Sequence, residues 1–326
     1  MAEEFLKKSE ELLKEAYLLA ILSKSNEVDD YVLRTSALNL LKAIDNIYMG
    51  TGEQQIKLFH DAEKSGIHIL RPHFYSPIPT VYNLDDKIWT RNEVVGIDWN
   101  IKEGVSLLHV LSTYGQEFKE LVDKKEFDPL DGQFRYHDAA VYYSMIRHYK
   151  PKHIVEVGAG STTKLASLAI KKHPETLLLS IDPFPPSYVS EISELTKLIK
   201  KPVQDVPIEE FEKLKENDFL FIDSSHVSKI GSDVNYLFLE VLPRLQKGVI
   251  IHIHDIFLPL EMPKEWILQN LFWNEQYILH AFLIGNSDYK VLFGNKYMSI
   301  YHPDVLLKIF NNEPIGGGSF WFKKIK

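Results

Sequence analysis

The sequence has no cysteine among its 326 residues. Disulfide frameworks, thiolate nucleophiles, zinc fingers and iron–sulfur clusters are therefore excluded. It also has no excess of positive charge, because 37 lysine and arginine residues stand against 45 aspartate and glutamate residues, for a net charge of −8. A negative overall charge disfavours the phosphate backbone of a nucleic acid, and we expect no nucleic-acid partner.

Long hydrophobic runs are missing as well. No segment of the sequence approaches the roughly 20 apolar residues that a membrane helix needs. The longest apolar stretch near the N-terminus, residues 16–22, is far shorter, and acidic residues precede it. With 45% hydrophobic and 25% charged residues, the composition is that of a globular chain. We expect a cytoplasmic protein that has no membrane partner.

Helical periodicity dominates the first 130 residues. Apolar residues recur at three- and four-residue steps in four segments: 5–20, 32–48, 54–63 and 101–125. Between them, the segment 71–80 contains three prolines, which favour an extended loop, and it carries His73 among aromatic residues. We predict that residues 1–130 form an N-terminal helical region that caps a pocket or builds a homodimer.

The pattern changes after residue 130, where short apolar strands alternate with amphipathic helices. The predicted strands are 153–157, 176–181, 219–222 and 248–253, and the predicted helices are 139–149, 161–172, 189–201 and 231–246. Short buried strands separated by helices imply a parallel sheet that is covered on both faces. We therefore predict an α/β, doubly wound domain over residues 131–326 that binds its ligand at the carboxyl ends of the strands.

A glycine loop follows the first of these strands. Gly158 and Gly160 permit a tight turn and let a ligand approach the main chain, and the helix behind them offers unpaired N–H groups. The next strand ends at Asp182, where a carboxylate can accept both hydroxyls of a ribose. The combination predicts a nucleoside site.

Two residues favour a single nucleoside over a dinucleotide. Thr163 stands where a dinucleotide loop has a third small residue, and Glu156, just before the loop, would repel a pyrophosphate. The same acid suits a cationic ligand that carries an amino acid. A P-loop is excluded because no Gly-Lys-Ser/Thr follows. Two alternatives stay open. One is an NAD-type oxidoreductase, which is a different enzyme class, and the other is a scaffold that binds a cofactor without catalysing a reaction.

These motifs resemble those of the class I S-adenosylmethionine-dependent methyltransferases, in a bacterial branch that acts on small molecules. The resemblance covers residues 131–326 and rests on these pieces: 156–160, Asp182, Gln204-Asp205, 219–226 and 252–257. It implies a Rossmann-like, mostly parallel, seven-stranded sheet that ends in an antiparallel pair at 289–293 and 319–322. It also implies that the chain transfers a methyl group from S-adenosylmethionine to a small-molecule acceptor.

The resemblance implies cofactor contacts for a set of strand-end residues: Glu156, Gly158, Ala159, Gly160, Ser161, Asp182, Asp205 and Asp223. In this assignment Glu156 orients the amino group of the cofactor and Asp182 binds the ribose hydroxyls. Asp205, or its neighbour Gln204, reaches the adenine amine.

Histidines and acids gather at the ends of two predicted strands. Asp223 and His226 follow the strand at 219–222, and His254 and Asp255 close the strand at 248–253. Both pairs should face one crevice. A hydroxyl acceptor gains from losing its proton, so we expect an O-methyltransferase. The base is His226 or His254, or a divalent cation such as Mg²⁺ bound by Asp223, His226 and Asp255 assists instead.

The predicted strand at 248–253 leaves the directions of its last side chains open. His252 and His254 share one face and Asp255 takes the other, so His254 and Asp255 converge only if the strand ends near residue 254. We interpret His252 as a core residue. Ile256 departs from metal-dependent methyltransferases, which carry an amide or a second acid there.

Two further segments are candidates for shaping the pocket. His73 is expected to come over the crevice on its proline-rich loop, exclude water and act with the catalytic set of His226, His254 and Asp255. The proline-broken loop at 258–266, followed by an aromatic-rich helix, is expected to shape the acceptor pocket.

Overall fold

The computed structural model describes residues 2–22, 30–48, 52–68, 70, 72–90, 93–130, 134, 136–312 and 314–326. The chain divides into two units, Met1–Thr80 and Val81–Lys326. The smaller unit contains α1 (Ala2–Leu22), α2 (Asp30–Tyr48) and α3 (Glu53–Lys64). These helices match the predicted periodic segments. Arg71, at the start of the proline-rich segment, lies outside the described residues.

The larger unit begins with helices and continues as alternating strands and helices. Its helices are α4 (Ile101–Leu111), α5 (Gly115–Asp123), α6 (Tyr136–Tyr149), α7 (Ser161–Ile170), α8 (Glu209–Glu212), α9 (Asp233–Tyr236), α10 (Leu242–Arg244), α11 (Lys264–Leu268), α12 (Glu275–Leu283), α13 (Asn295–Tyr301) and α14 (Pro303–Ile309). Its strands are β1 (His153–Val157), β2 (Leu177–Ile181), β3 (Leu195–Ile199), β4 (Phe219–Ile222), β5 (Ile250–Ile253), β6 (Tyr289–Gly294) and β7 (Phe320–Lys324).

Shorter helical turns complete these elements. A π-helical segment, Leu237–Val241, joins α9 to α10. Turns of 3-10 helix occupy Val81–Asn83, Asp86–Thr90, Ser112–Tyr114, Ser187–Glu191 and Val203–Asp205. Among the described residues, none of the helices combines the length and the apolar character needed to cross a membrane.

The seven strands form one sheet in the order β3-β2-β1-β4-β5-β7-β6. Strands β1 to β5 pair in parallel, and β7 runs antiparallel between β5 and β6. This confirms the predicted doubly wound, mostly parallel, Rossmann-like sheet with its antiparallel final pair. The chain order reverses between β1 and β4, and a crevice opens at the carboxyl ends of such neighbouring strands.

Strand β4 shows why its sequence is a continuous apolar run. Phe219 and Phe221 pack into the core on one face of the sheet, and Leu220 and Ile222 pack into the core on the other. All four side chains are buried. A parallel strand that is covered on both faces needs apolar residues at successive positions. The predicted strand and the observed one have the same bounds.

The helix predicted over residues 189–201 is wrong. Its first part is the 3-10 turn Ser187–Glu191, and its second part is the edge strand β3. The side chains of Thr196 and Lys197 are exposed because β3 has a neighbour on one side only, so the strand lacks a continuous apolar run. Pairing with β2 decides the conformation, and Leu178 N–H also donates to the Thr196 hydroxyl at 3.1 Å.

Residues 81–130 belong to the larger unit in this division, which therefore differs from the predicted boundary between residues 130 and 131. Leu108 and Leu111 of α4 and Phe118 of α5 are fully buried in the same core as α6. Residue 131 itself lies outside the described residues. The grouping of residues 1–130 as a cap or homodimer region stays a prediction.

A buried carboxylate joins α6 to the last strand. Asp138 accepts hydrogen bonds from Asn295 Nδ2 at 2.8 Å and from the N–H groups of Gly318 and Ser319 at 2.9 Å each. Gly317 has a φ of 139°, and a Cβ there would come 2.1 Å from Asp138 Oδ2. The glycine turn at 316–318 therefore permits this close approach.

We expect Asp138→Ala to lower the free energy of unfolding by about 3 kcal/mol, because three donors lose a buried acceptor. Urea denaturation provides the measurement. Asp123→Ala is the matched control, since Asp123 is exposed and its ion pair with Lys119 contributes less than about 1 kcal/mol. Equal losses in the two variants would contradict the structural role of Asp138.

Candidate functional site

A cavity of 340 Å³ lies at the carboxyl ends of β1, β2 and β4. Its lining includes the loop 158–162, Asp182, Asp223 and His226. Phe134, Pro186, Tyr188, Ser224 and Trp273 complete the wall. A wider cleft of 970 Å³ shares Ser161 and Tyr188 with it. The structure thus brings the predicted glycine loop and the strand-end acids together.

The turn at Gly158 fixes the distance between the ends of β1 and β4. Gly158 has a φ of 92°, and a Cβ at this position would lie 1.8 Å from the carbonyl oxygen of Asp223. Asp223 N–H donates to Val157 O at 2.9 Å, which continues the strand pairing up to this point. Only glycine fits so close an approach in this conformation.

Asp182 binds the main chain of two loops. Its Oδ2 accepts from Ala159 N–H at 2.9 Å, and its Oδ1 accepts from Phe184 N–H at 2.7 Å. Each carboxylate oxygen keeps acceptor capacity beyond one such bond. Because Asp182 also lines the cavity, this remaining capacity is available to a ligand.

Glu156 is a fully buried acid beneath the glycine loop. Its Oε2 accepts hydrogen bonds from the hydroxyls of Thr163 at 2.6 Å and of Ser180 at 2.5 Å. Its Oε1 has no hydrogen-bond partner among the described residues. Burial raises the pKa of Glu156 to about 7, although the hydroxyl hydrogen bonds act in the opposite direction.

The surroundings of Glu156 explain its burial. Across the sheet, directly paired positions place Ser180, Glu156, Phe221, His252 and Trp321 in one row. Aromatic rings on this row pack closely, with the His252 and Phe221 ring centroids 3.9 Å apart. Glu156 therefore has a polar neighbour on β2 and an aromatic one on β4.

Thr163 closes the glycine loop from below. Its hydroxyl accepts from Gly160 N–H at 3.0 Å and donates to Glu156. This accounts for the absence of a third glycine, since the hydroxyl is needed at that position. The roles of Thr163 and Ser180 were not predicted. An acid followed by Thr after seven residues is the local signal that could have indicated them.

Three side chains at the ends of β4 and β5 converge. His226 Nε2 lies 3.3 Å from Asp223 Oδ1 and 3.5 Å from Asp255 Oδ2. One ligand atom from each of the three residues lies within 4.8 Å of the others. This is the set proposed from the sequence for a divalent cation, and we call it the strand-end cluster.

The backbone turns the members of the strand-end cluster toward each other. Strand β5 ends at Ile253, but His254 N–H still donates to Ile222 O at 2.9 Å and the His254 ring stacks on that of His252, so the chain changes direction at Asp255. His226 and Asp255 have φ values of 58° and 55°, a left-handed conformation that is rare for residues other than glycine. Such backbone strain persists where the surrounding structure holds it, often at functional sites.

The N-terminus of α12 holds His226 in place. The N–H groups of Asn274 and Glu275 donate to His226 O at 3.0 and 3.1 Å. Glu275 is buried, and its Oε2 lies 2.9 Å from His226 Nδ1. Neither contact was predicted, because residues 226 and 275 are distant in sequence. The contact with Glu275 leaves Nε2 facing Asp223 and Asp255.

Charge is concentrated around His226. Burial lowers the pKa of an imidazole, but the hydrogen bonds with Asp223 and Glu275 and the nearby Asp255 hold the pKa of His226 well above its usual range. Burial raises the pKa of Asp255. Three carboxylates thus surround His226, and His254 lies 3.5 Å from one of them, Asp255, so acids outnumber imidazoles here and favour positive charge.

The remaining predicted residues are placed differently. Asp205 is exposed, and neither it nor Gln204 is among the residues that line the cavity; the Gln204 amide donates to Gly231 O at 2.8 Å. His254 is buried, with Nε2 3.5 Å from Asp255 Oδ1. His252 is a core residue, as interpreted from the sequence. His73 belongs to the smaller unit, and its catalytic role stays a prediction.

Comparison with known proteins identifies the class. A family model described as a methyltransferase domain matches residues 155–256, which run from within β1 to just past β5 and include the strand-end cluster. An uncharacterized protein from Archaeoglobus fulgidus is 34% identical over 161 residues, which are 44% of this chain and 73% of that protein. The chain belongs to the class I S-adenosylmethionine-dependent methyltransferases. It is an enzyme that uses S-adenosylmethionine, which displaces the NAD-type oxidoreductase considered above.

Solved methyltransferase structures are similar to this chain at low sequence identity. The plantazolicin methyltransferase BpumL, in complex with a pentazolic desmethylPZN analog and SAH, is 14% identical and matches 70% of this chain and 100% of its own, with a TM-score of 0.41. The O-methyltransferase TomG from Streptomyces achromogenes, involved in tomaymycin synthesis and in complex with SAM, is 13% identical over 74% and 99%, with a TM-score of 0.37. Likeness at this level does not extend to substrate or mechanism.

We expect Gly158→Ala to destabilise the fold by about 3 kcal/mol or more, because its Cβ would overlap a backbone carbonyl at a positive φ. Gly160→Ala is the matched control, since its φ is 177° and the nearest atom to an added Cβ is 3.8 Å away. Chemical denaturation of cofactor-free protein measures both. A Gly158→Ala variant as stable as Gly160→Ala would contradict the close approach of β1 to β4.

Glu156 makes the stability of the cofactor-free protein depend on pH. Its folded pKa of about 7 lies above its ordinary value of 4.5, so its contribution is fully present below pH 4.5 and is lost as pH rises through 7. Between pH 5 and 8 this loss is about 2 kcal/mol. We expect Glu156→Gln to remove this part of the pH dependence in denaturation curves. Exposed Glu209→Gln is the control, and an unchanged Glu156→Gln profile would contradict the shift.

Proposed function

We propose that this enzyme transfers the methyl group of S-adenosylmethionine to a hydroxyl of a small-molecule acceptor, with a divalent cation such as Mg²⁺ assisting. The strand-end cluster of Asp223, His226 and Asp255 carries this proposal. Asp223 and His226 line the same cavity as the glycine loop, so an acceptor beside them adjoins the bound cofactor.

The cofactor is proposed to bind along the ends of β1, β2 and β4. The main chain of Gly158, Ala159, Gly160 and Ser161 borders its methionine part. The unpartnered Oε1 of Glu156 is suited to a cationic amino group, because a positive charge beside a buried carboxylate stabilises the charged form. Two residues farther along are assigned as follows: Asp182 to the ribose hydroxyls and Asp223 to the boundary between methionine and acceptor. The assignment of Asp205 to the adenine amine stays a prediction, because Asp205 is not among the residues that line the cavity.

The donors of the strand-end cluster fit a divalent cation. Two carboxylates and one imidazole nitrogen are ligands that Mg²⁺, Mn²⁺ and related ions accept. The buried contact between Glu275 and His226 Nδ1 fixes the imidazole so that Nε2 is the ligating atom, as neighbouring carboxylates do in many metal sites. A bound divalent cation supplies Lewis acidity, which lowers the pKa of a coordinated hydroxyl.

The alternative mechanism uses a histidine as base. An imidazole whose pKa lies well above its usual range keeps its proton near neutral pH, so His226 is poorly suited to accept one from a hydroxyl, and a cation at Nε2 would have to displace the same proton. The position of Nε2 between the carboxylates of Asp223 and Asp255 supports the cation. His254 is buried and is not among the residues that line the cavity. In the cation mechanism His226 and Asp255 would act as ligands, and the catalytic role of His73 stays a prediction.

We expect the protein, loaded with S-adenosylhomocysteine, to bind Mn²⁺, which electron paramagnetic resonance can measure. Asp255→Asn should weaken this binding by about tenfold or more, because a charged donor is lost. Asp288→Asn, on an exposed surface, is the matched control and should have no effect. Calorimetry with S-adenosylhomocysteine should give equal affinity for all three proteins.

The outcomes separate the mechanisms. Wild-type protein that binds S-adenosylhomocysteine but no Mn²⁺ would exclude the cation mechanism and leave the histidine base. A second experiment measures methyl transfer to a panel of acceptors in the presence of a chelator. Loss of turnover there supports the cation mechanism. Methylation of amines and of no hydroxyl would overturn the assignment to oxygen.

A further inference from the structure

Three aromatic rings extend from the strand-end cluster. The Trp273 ring centroid lies 4.5 Å from that of His226, and the Trp266 ring meets Trp273 edge-to-face at 5.1 Å. Phe257 meets Trp266 edge-to-face, also at 5.1 Å. All three side chains are partly exposed, and Trp273 lines the cavity. We call these three residues the aromatic shelf.

The loop that carries the shelf is held rigidly by its neighbours. The Gln276 amide accepts from Phe257 N–H at 2.6 Å and donates to Leu260 O at 3.0 Å. Trp89 Nε1 donates to Met262 O at 2.9 Å. A binding surface that is already ordered loses little conformational freedom when a ligand arrives. The shelf is therefore a prepared surface in the protein without ligand.

The charge beside the shelf restricts what can bind there. Asp223, Asp255 and Glu275 surround His226, and His254 Nε2 lies 3.5 Å from Asp255 Oδ1, so three carboxylates stand against two imidazoles. Without a cation, a phosphate or carboxylate next to the reacting hydroxyl would meet like charges at short range, whereas a bound divalent cation would offset them. An uncharged ligand avoids this repulsion whether or not the cation is bound.

We propose that the aromatic shelf is the acceptor subsite, and that the acceptor is an uncharged, hydroxylated ring that stacks on Trp273 with a hydroxyl directed toward His226. This inference rests on the proposed function, because it places the acceptor of that reaction. Indole faces attract both arene edges and the polarised C–H face of a sugar ring, since the ring face is electron-rich. An arene diol and a pyranose share this chemistry.

Three probes test the subsite on protein loaded with S-adenosylhomocysteine, first without and then with Mn²⁺. Catechol represents the arene, methyl α-D-mannopyranoside represents the sugar, and phenyl phosphate represents an anionic ring. Calorimetry should detect at least one of the neutral rings, and in the samples without Mn²⁺ phenyl phosphate should be about tenfold weaker or absent. Binding of catechol alone would identify an arene acceptor, and binding of the mannoside alone would identify a sugar acceptor.

Variants then assign the binding to the shelf. Trp273→Ala should weaken the neutral ring by about tenfold or more, whereas Trp273→Phe, which keeps an aromatic face, should weaken it less. Trp99→Phe is the matched control, because Trp99 stacks on Tyr297 and is not among the residues that line the cavity. Affinity for S-adenosylhomocysteine, measured on the same samples, should be unchanged.

Three results would overturn the inference. They are the binding of neither neutral ring, an unchanged affinity in Trp273→Ala, and phenyl phosphate binding as tightly as the neutral rings in the absence of Mn²⁺. A failure of the proposed function is separate, since it appears as a lack of S-adenosylhomocysteine or Mn²⁺ binding by the wild-type protein before any acceptor probe is added.

Discussion

The approach of Gly158 to the carbonyl of Asp223 is the constraint on which the site depends. The ends of β1 and β4 lie side by side. The chain leaves β1 into the glycine loop and leaves β4 at Asp223. A side chain at residue 158 would separate the two strand ends, because its Cβ would overlap that carbonyl. The missing side chain lets both halves of the cavity share one edge of the sheet.

Two buried acidic groups near this edge are only partly balanced by the described residues around them. Glu156 has hydroxyl donors on one oxygen and none on the other. The strand-end cluster has more carboxylates than imidazoles around His226. Burying unbalanced negative charge costs stability unless a positive partner arrives. Both positions therefore support the proposed cationic ligands, the amino group of the cofactor at Glu156 and a metal ion at the strand-end cluster.

The sequence was informative where the structure is decided locally. Strands β1 and β4 could be located to the residue because each is an apolar run with a clear end, and the glycine loop and Asp182 follow directly from such ends. Strand β3 was missed because its exposed edge removes the apolar run. The helix α12 contact between Glu275 and His226 joins residues that no local pattern connects. The convergence of His254 and Asp255 depended on where β5 ends and on a left-handed backbone at Asp255.

The segment before β7 has a consequence for how the acceptor side of the site is held. Ile256 N–H donates to Gly318 O at 2.8 Å, and a Cβ on Gly318 would come 2.8 Å from the Asp255 Cα. An acid of the strand-end cluster is thus supported by a segment that lies far from it in sequence. The position of this carboxylate therefore depends on the glycine turn at 316–318, although that turn is not among the residues that line the cavity.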